Sequence, residues 1–166
     1  MMLYVLRHGI AEEVGPEGTD GSRRLTPAGR RKLRAGAAGM RALGLGFDAL
    51  LTSPLVRAAE TAGIVSEAFA HRPAPRELAA LEPGVPPVET VRALRAFARY
   101  RHVAIVGHEP GLSSVVALLL TGVPNGLRLV LKKGGLVVLE VRDPGRGGGA
   151  TLRCVLTPRQ LRRLGR

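Results

Sequence analysis

A chain of 166 residues that is 45% hydrophobic has the apolar material for one well-buried domain and too little length for two, which excludes wholesale disorder. Aromatic residues make up 3% and Trp is absent, so the core must be Leu, Val and Ala, and a nucleic-acid binder that stacks bases on aromatic rings is hard to build. The net charge of +12 attracts anionic partners, but most of the arginines that produce it are scattered rather than blocked, as on a solvated surface.

Lys32, Lys132 and Lys133 are the only lysines among 25 basic residues, the rest being arginine. Cys154 is the one cysteine; it excludes an intramolecular disulfide, fits a reducing cytoplasm and reads as a buried structural thiol. No signal-like leader precedes the first apolar run and no apolar run reaches membrane-spanning length, so a soluble cytoplasmic protein without membrane contacts is expected.

In chain order, Met2–Leu6 is an unbroken apolar run, the pattern of a central strand buried on both faces, and it ends at Arg7-His8-Gly9. A loop rich in Gly, Pro and charge runs from about Ala11 to Arg24. Thr26 and Pro27 then supply an N-cap and a first helical residue for a helix reaching about Leu43. Phe47–Leu51 reads as a second strand closed by Thr52-Ser53-Pro54, and a helix follows over about Leu55–Ala70.

Arg76–Leu81 reads as a short strand, and Val88–Tyr100 has helical spacing with Val91, Leu94 and Phe97 on one face. His102–Val106 is a third buried strand ending in Gly107-His108, before an apolar helix over Gly111–Leu120. Leu127–Leu131, Gly135–Val141 and Ala150–Leu156 read as strands, and Pro158–Leu164 as a short basic helix. Alternating strands and helices predict a single α/β domain over residues 1–166: a three-layer α/β/α sandwich with a mostly parallel central sheet and an antiparallel edge from the last strands.

Ligands of such sheets bind beyond the carboxyl ends of the strands. Arg7 and His8 follow the first strand, Ser53 and Arg57 the second, and His108 the third. Any one of these is unremarkable alone, since a His after a strand is more often structural than catalytic. As a set they are a phosphate-handling constellation: two guanidiniums grip phosphate oxygens through paired hydrogen bonds, and two imidazoles divide the roles of nucleophile and electrostatic partner. Gly9 is expected to let an anion approach the backbone, with helix N-termini near Leu55 and Gly111 adding favourable field. The His and acidic residues show no metal-ligand spacing, so neither metal nor cofactor is expected.

Four segments in order, Leu6-Arg7-His8-Gly9, Leu25-Thr26-Pro27-Ala28-Gly29-Arg30, Thr52-Ser53-Pro54-Leu55-Val56-Arg57-Ala58 and Val106-Gly107-His108-Glu109-Pro110-Gly111, resemble the histidine phosphatase superfamily, within it most closely the SixA-type phosphohistidine phosphatases. The resemblance runs from Met2 to about Leu120. It implies a phosphoglycerate mutase-like fold, with His8 as the nucleophile that becomes phosphorylated, Arg7 and Arg57 binding the phosphoryl oxygens, and His108 completing the pocket and stabilising the transferring group when protonated. His71 and His102 match no position of the family and read as structural or surface residues.

Many superfamily members that hydrolyse phosphate esters use a carboxyl group between the second and third motifs. Glu77 and Glu82 occupy that stretch; both read first as solvated loop carboxylates, with Glu82 the preferred general acid if the reaction needs one. The interval from Arg57 to His108 has no room for a cap domain, and an open pocket suits a phosphoryl group displayed on a protein, such as a histidine phosphotransfer domain. A phosphatase of small phosphate esters such as sugar or glycerate phosphates is the alternative. A basic module binding nucleic acid or an acidic partner ranks last, because it leaves the three strand ends to coincidence.

Overall fold

The computed structural model describes residues 1–69 and 74–166. Its strands are β1 (Met2–Arg7), β2 (Ala49–Thr52), β3 (Pro75–Glu77), β4 (His102–Gly107), β5 (Leu136–Glu140) and β6 (Thr151–Leu156). The helices are α1 (Pro27–Ala42), α2 (Val56–Glu67), α3 (Pro87–Ala93), α4 (Gly111–Thr121) and α5 (Pro158–Leu164). The strands form one sheet in the order β3-β2-β4-β1-β5-β6. The first four run parallel, while β5 pairs antiparallel with both β1 and β6. This is the mixed, mostly parallel sheet expected from the alternation of elements.

Strand alternation divides the core into two halves. Leu3 and Val5 of β1 and Val103 and Ile105 of β4 point to the face covered by α3 and α4, where Val91, Leu112 and Leu119 pack on them. Tyr4, Leu6, Ala104 and Val106 point the other way, onto Met40 of α1, Ala58 and Val65 of α2 and Leu161 of α5. Both faces of β1 and β4 are therefore dry, which is why their sequences are unbroken apolar runs. Cys154 is half-buried against the second cluster, and burial raises its thiol pKa.

The first helix starts at the cap read from the sequence, and the last at a cap that only the structure reveals. The Thr26 hydroxyl accepts from Gly29 N at 2.9 Å with Pro27 opening α1, and Thr157 and Gln160 form a reciprocal capping box at the start of α5. The third helix is shorter than its periodicity predicts, tightening into a 3-10 turn over Leu94–Phe97. The expected strand Arg76–Leu81 splits into β3 and a 3-10 turn over Ala79–Leu81. The expected end of the second helix at Ala70, and His71, lie outside the described residues.

One expected strand is not a strand. Leu127–Leu131 alternates because Leu129 and Leu131 turn toward the core while Val130 is 80% exposed. Its carbonyls serve side chains instead of a ladder: Leu129 O accepts from Ser113 Oγ and Leu131 O from Arg7 Nη1. The segment is a loop laid across the carboxyl ends of the strands. Among the described residues no helix is long and apolar enough to cross a membrane.

Candidate active site

Register brings the site together. Arg7 pairs with Gly107, and Thr52 pairs with Val106 on one side and Glu77 on the other. One residue beyond this row stand His8, Ser53 and His108. His8 N donates to Gly107 O at 3.1 Å and Ser53 N to Val106 O at 2.9 Å, so the backbone ladder continues into the site and fixes where these side chains start.

His8 is 5% exposed, and its Nδ1 lies 2.7 Å from the carbonyl oxygen of Gly9. A carbonyl only accepts, so Nδ1 carries the proton and Nε2 keeps its lone pair. Burial is the main reason that the His8 pKa falls to about 3; the Gly9 bond opposes this, and His108, Arg57 and Arg7 add to it. The outcome is a neutral imidazole with one committed nitrogen and one nucleophilic nitrogen.

The His108 ring centroid is 5.0 Å from that of His8, and its Nε2 lies 2.9 Å from Ser53 Oγ. Burial, then Arg57 and Arg7, lower its pKa to about 4, with Asp20 working in the opposite sense. Neutral imidazole is thus its resting form at pH 7, and the protonated form invoked from the sequence needs a bound anion to draw the proton in. Its Nδ1 is buried without a hydrogen-bond partner among the described residues, a polar atom left over for a ligand.

Arg57, in the first turn of α2, is 5% exposed and held by one residue. Its Nη1 donates to Asp20 O at 2.6 Å and its Nη2 to Asp20 Oδ2 at 2.8 Å. The other Asp20 oxygen accepts from Arg23 Nη1 at 2.7 Å, and these two arginines hold the Asp20 pKa below its usual value, Arg23 first. Asp20 arrives from the loop between β1 and α1, closed at its base by a bridge between Ala11 and Leu25. On the opposite side Arg7 Nη1 donates to Leu131 O at 2.9 Å, while Arg7 Nε is buried and unpaired among the described residues.

Arg7, His8, Arg57 and His108 therefore converge, as expected. Glu82 borders a cavity of about 260 Å³ shared with His108 and Glu109, but makes no hydrogen bond to a site residue among those described. Glu77 is exposed at the end of β3. Gly9 also serves the packing. Its N–H is committed to Thr61 Oγ1 at 3.0 Å, and a Cβ there would press on Leu25 Cδ2 at 3.1 Å.

Sequence reasoning missed Asp20, because nothing local marks which carboxylate of a charged loop folds back onto Arg57. It also passed over Glu109, whose Oε2 accepts from Ser113 Oγ at 2.5 Å while Oε1 is buried and unpaired among the described residues. Burial raises the Glu109 pKa, against the pull of Ser113 and Arg7. Among the described residues no group of three or more His, Cys, Asp or Glu side chains is placed to hold a metal ion.

Residues 3–81 match the family model of the histidine phosphatase superfamily (branch 1). An uncharacterised protein of Picosynechococcus sp. is 34% identical over 146 residues, covering 84% of this chain and 85% of its own. The chain belongs to the histidine phosphatase superfamily. Solved structures place its fold within that group. The protein histidine phosphatase SixA complexed with tungstate superposes with a TM-score of 0.85 at 22% identity, covering 97% of this chain and 99% of SixA. The alpha-ribazole phosphatase from Shigella flexneri gives 0.72 at 18% identity, with 95% and 97% covered. The phosphoserine phosphatase from Entamoeba histolytica, in complex with 3-phosphoglyceric acid, gives 0.70 at 18% identity, with 96% and 98% covered.

Proposed function

We propose that this chain is a phosphatase that takes a phosphoryl group onto His8 Nε2 and that its substrate is phosphohistidine in a protein. The observation that carries the reading is the bond from His8 Nδ1 to the Gly9 carbonyl, which leaves a buried, neutral imidazole with its lone pair on the other nitrogen. Arg7 and Arg57 bind the phosphoryl oxygens, with Arg57 exchanging Asp20 for the substrate. Nε2 attacks phosphorus, the P–N bond of the substrate breaks and the leaving imidazole takes up a proton. Water then attacks the phosphohistidine, releasing phosphate and restoring neutral His8.

An imidazole, protonated on its far nitrogen by solvent, leaves without a dedicated acid, in keeping with Glu82 making no hydrogen bond to a site residue among those described. The span from Arg57 to His108 is used by α2, β3 and α3, which leaves the mouth uncapped for a protein-borne phosphoryl group. The structural likeness to SixA, named as a protein histidine phosphatase, supports the same substrate class. A second reading, a phosphatase of small phosphate esters, is favoured by the cavity that Glu82 and His108 both line and by the likeness to phosphatases named for alpha-ribazole and phosphoserine.

Rapid quench with labelled phosphoprotein tests the mechanism. Acid-labile, base-stable label should sit on His8 and be absent from His8→Ala. Label that persists in that variant would assign the nucleophile elsewhere. Matched rates on protein phosphohistidine, sugar phosphates and aryl phosphate decide the substrate class.

A further inference from the structure

All three lysines of the chain meet at one place. Lys32 of α1, Lys132 and Lys133 of the loop before β5, and Arg159 and Arg162 of α5 rim a cavity of about 440 Å³. No carboxylate lines it, and none of the five cations makes an ion pair among the described residues. Its floor is apolar and close to backbone, built from Gly9, Ile10, Leu33 and Pro158.

The cavity opens at the His8 end of the sheet. Leu136, at the start of β5, pairs with Leu6 on one side and with Leu156 on the other, so the loop before β5 and the start of α5 both stand beside the nucleophile. Gly134 N donates to the carbonyls of both Arg7 and His8 at 3.0 Å. Gly9 and Ile10, next in the chain after His8, are among the cavity's lining residues.

We propose that this cleft docks an acidic segment of the phosphoprotein substrate, next to the residue whose phosphoryl group enters the His8 pocket. The proposal rests on the phosphoprotein reading of that pocket. Charge complementarity identifies the occupant: five unpaired cations around an apolar floor match carboxylates flanking an aliphatic side chain. The residue types separate it from the phosphate site. The phosphoryl grip is made of guanidiniums alone, suited to paired bonds, whereas three of the cleft's five cations are lysines, flexible point charges that satisfy carboxylates in varied geometry. Such a patch steers encounter and selects partners while leaving the chemistry alone.

The test is a fluorescent peptide of glutamates around a central leucine, titrated into the full chain by anisotropy and, in parallel, steady-state hydrolysis of aryl phosphate. Lys32→Glu/Lys132→Glu/Lys133→Glu should weaken the peptide about tenfold or more, and raising salt from ~50 to ~500 mM should weaken wild-type binding similarly. Its kcat on aryl phosphate should stay within about twofold of wild type, because the altered charges act on encounter rather than on chemistry. Since Lys132 adjoins the Leu131 carbonyl that holds Arg7, Lys32→Glu/Arg162→Glu, confined to helices, must show the same loss.

Peptide affinity unchanged in both variants overturns the proposal. So does binding of pyrophosphate or of single-stranded RNA that these variants abolish, in a protein that ignores the peptide. Peptide binding in a protein with no phosphohistidine turnover leaves the docking cleft standing and refutes the substrate assignment. His8-dependent turnover without peptide binding does the reverse.

Discussion

The Asp20 carboxylate and backbone carbonyl together occupy both terminal nitrogens of Arg57, at 2.8 and 2.6 Å. The side chain proposed to grip a phosphoryl group therefore rests on an anion of the protein's own. Because Asp20 is 59% exposed and carried by a loop, it can yield to a ligand, but its charge repels that ligand meanwhile. Asp20→Asn should therefore bind tungstate more tightly at low salt, by about fivefold, corresponding to the ~1 kcal/mol that like charges a few ångströms apart cost in watery surroundings. Equal or weaker affinity by calorimetry would show that Asp20 serves only to orient Arg57.

Both imidazoles lose their protons far below the usual histidine range, His8 at about 3 and His108 at about 4. A nucleophile must be neutral, so kcat/KM, corrected for ionisation of the substrate phosphate near pH 6, should hold from pH 7 down to pH 5. An acid limb centred near 6.5, where an ordinary histidine titrates, would mean that His8 is solvated in the working enzyme. Stability follows the same sign. Folded His8 binds its proton only near pH 3, whereas the unfolded chain binds it near 6.5, so His8 makes the fold less stable as pH falls through that window. The Tm of wild type should drop more steeply than that of His8→Gln between pH 7 and 4.

Glu82 separates the two substrate classes. An alkoxide leaves poorly, and a proton donor in the transition state is worth ~10²–10⁴-fold. If protein phosphohistidine is the substrate, Glu82→Gln should barely change turnover of phosphohistidine and leave a slow alkyl phosphate rate where it was. A selective collapse on alkyl phosphates that spares aryl phosphates would transfer the assignment to small esters and keep His8 as nucleophile.

Two helical glycines should respond to alanine with opposite signs. At Gly39 of α1 a Cβ would fall on the Leu161 carbonyl oxygen of α5, backbone that cannot swing aside; Gly63 of α2 has nothing within 4 Å of that position. Gly39→Ala should lose about 3 kcal/mol by overpacking, and Gly63→Ala should gain up to ~1 kcal/mol from helix propensity. Urea unfolding of the two variants measures both, and a neutral Gly39→Ala would show that the contact between α1 and α5 is looser than drawn.

The parts of this molecule that could be read from its sequence are those where one short stretch carries the whole signal. The unbroken apolar runs of β1 and β4 announced buried strands, and each ended beside a residue of the site. Thr26-Pro27 gave a helix start because a cap is a local device. Leu127–Leu131 misled because alternation records which side chains are wet and not whether the backbone between them is paired. Asp20 was invisible because its importance comes from a loop closing onto a helix whose Arg57 lies 37 residues away. The cationic cleft was equally hidden, since Lys32 and Lys132-Lys133 become neighbours only once α1 packs near the loop before β5.

The central position of β1 has a consequence for the order of assembly. The strand that ends beside His8 is made well before its neighbours in the sheet, which begin at His102 and Leu136. Until both have left the ribosome, Met2–Arg7 is an apolar segment with two open edges, and contacts of such long sequence separation form slowly. Nascent chains that stop short of β5 should therefore be the species that chaperones hold. The same delay leaves the surroundings of His8 unformed during synthesis, because Gly107, Leu131 and Gly134, which fix them, are all translated at least a hundred residues after Met2.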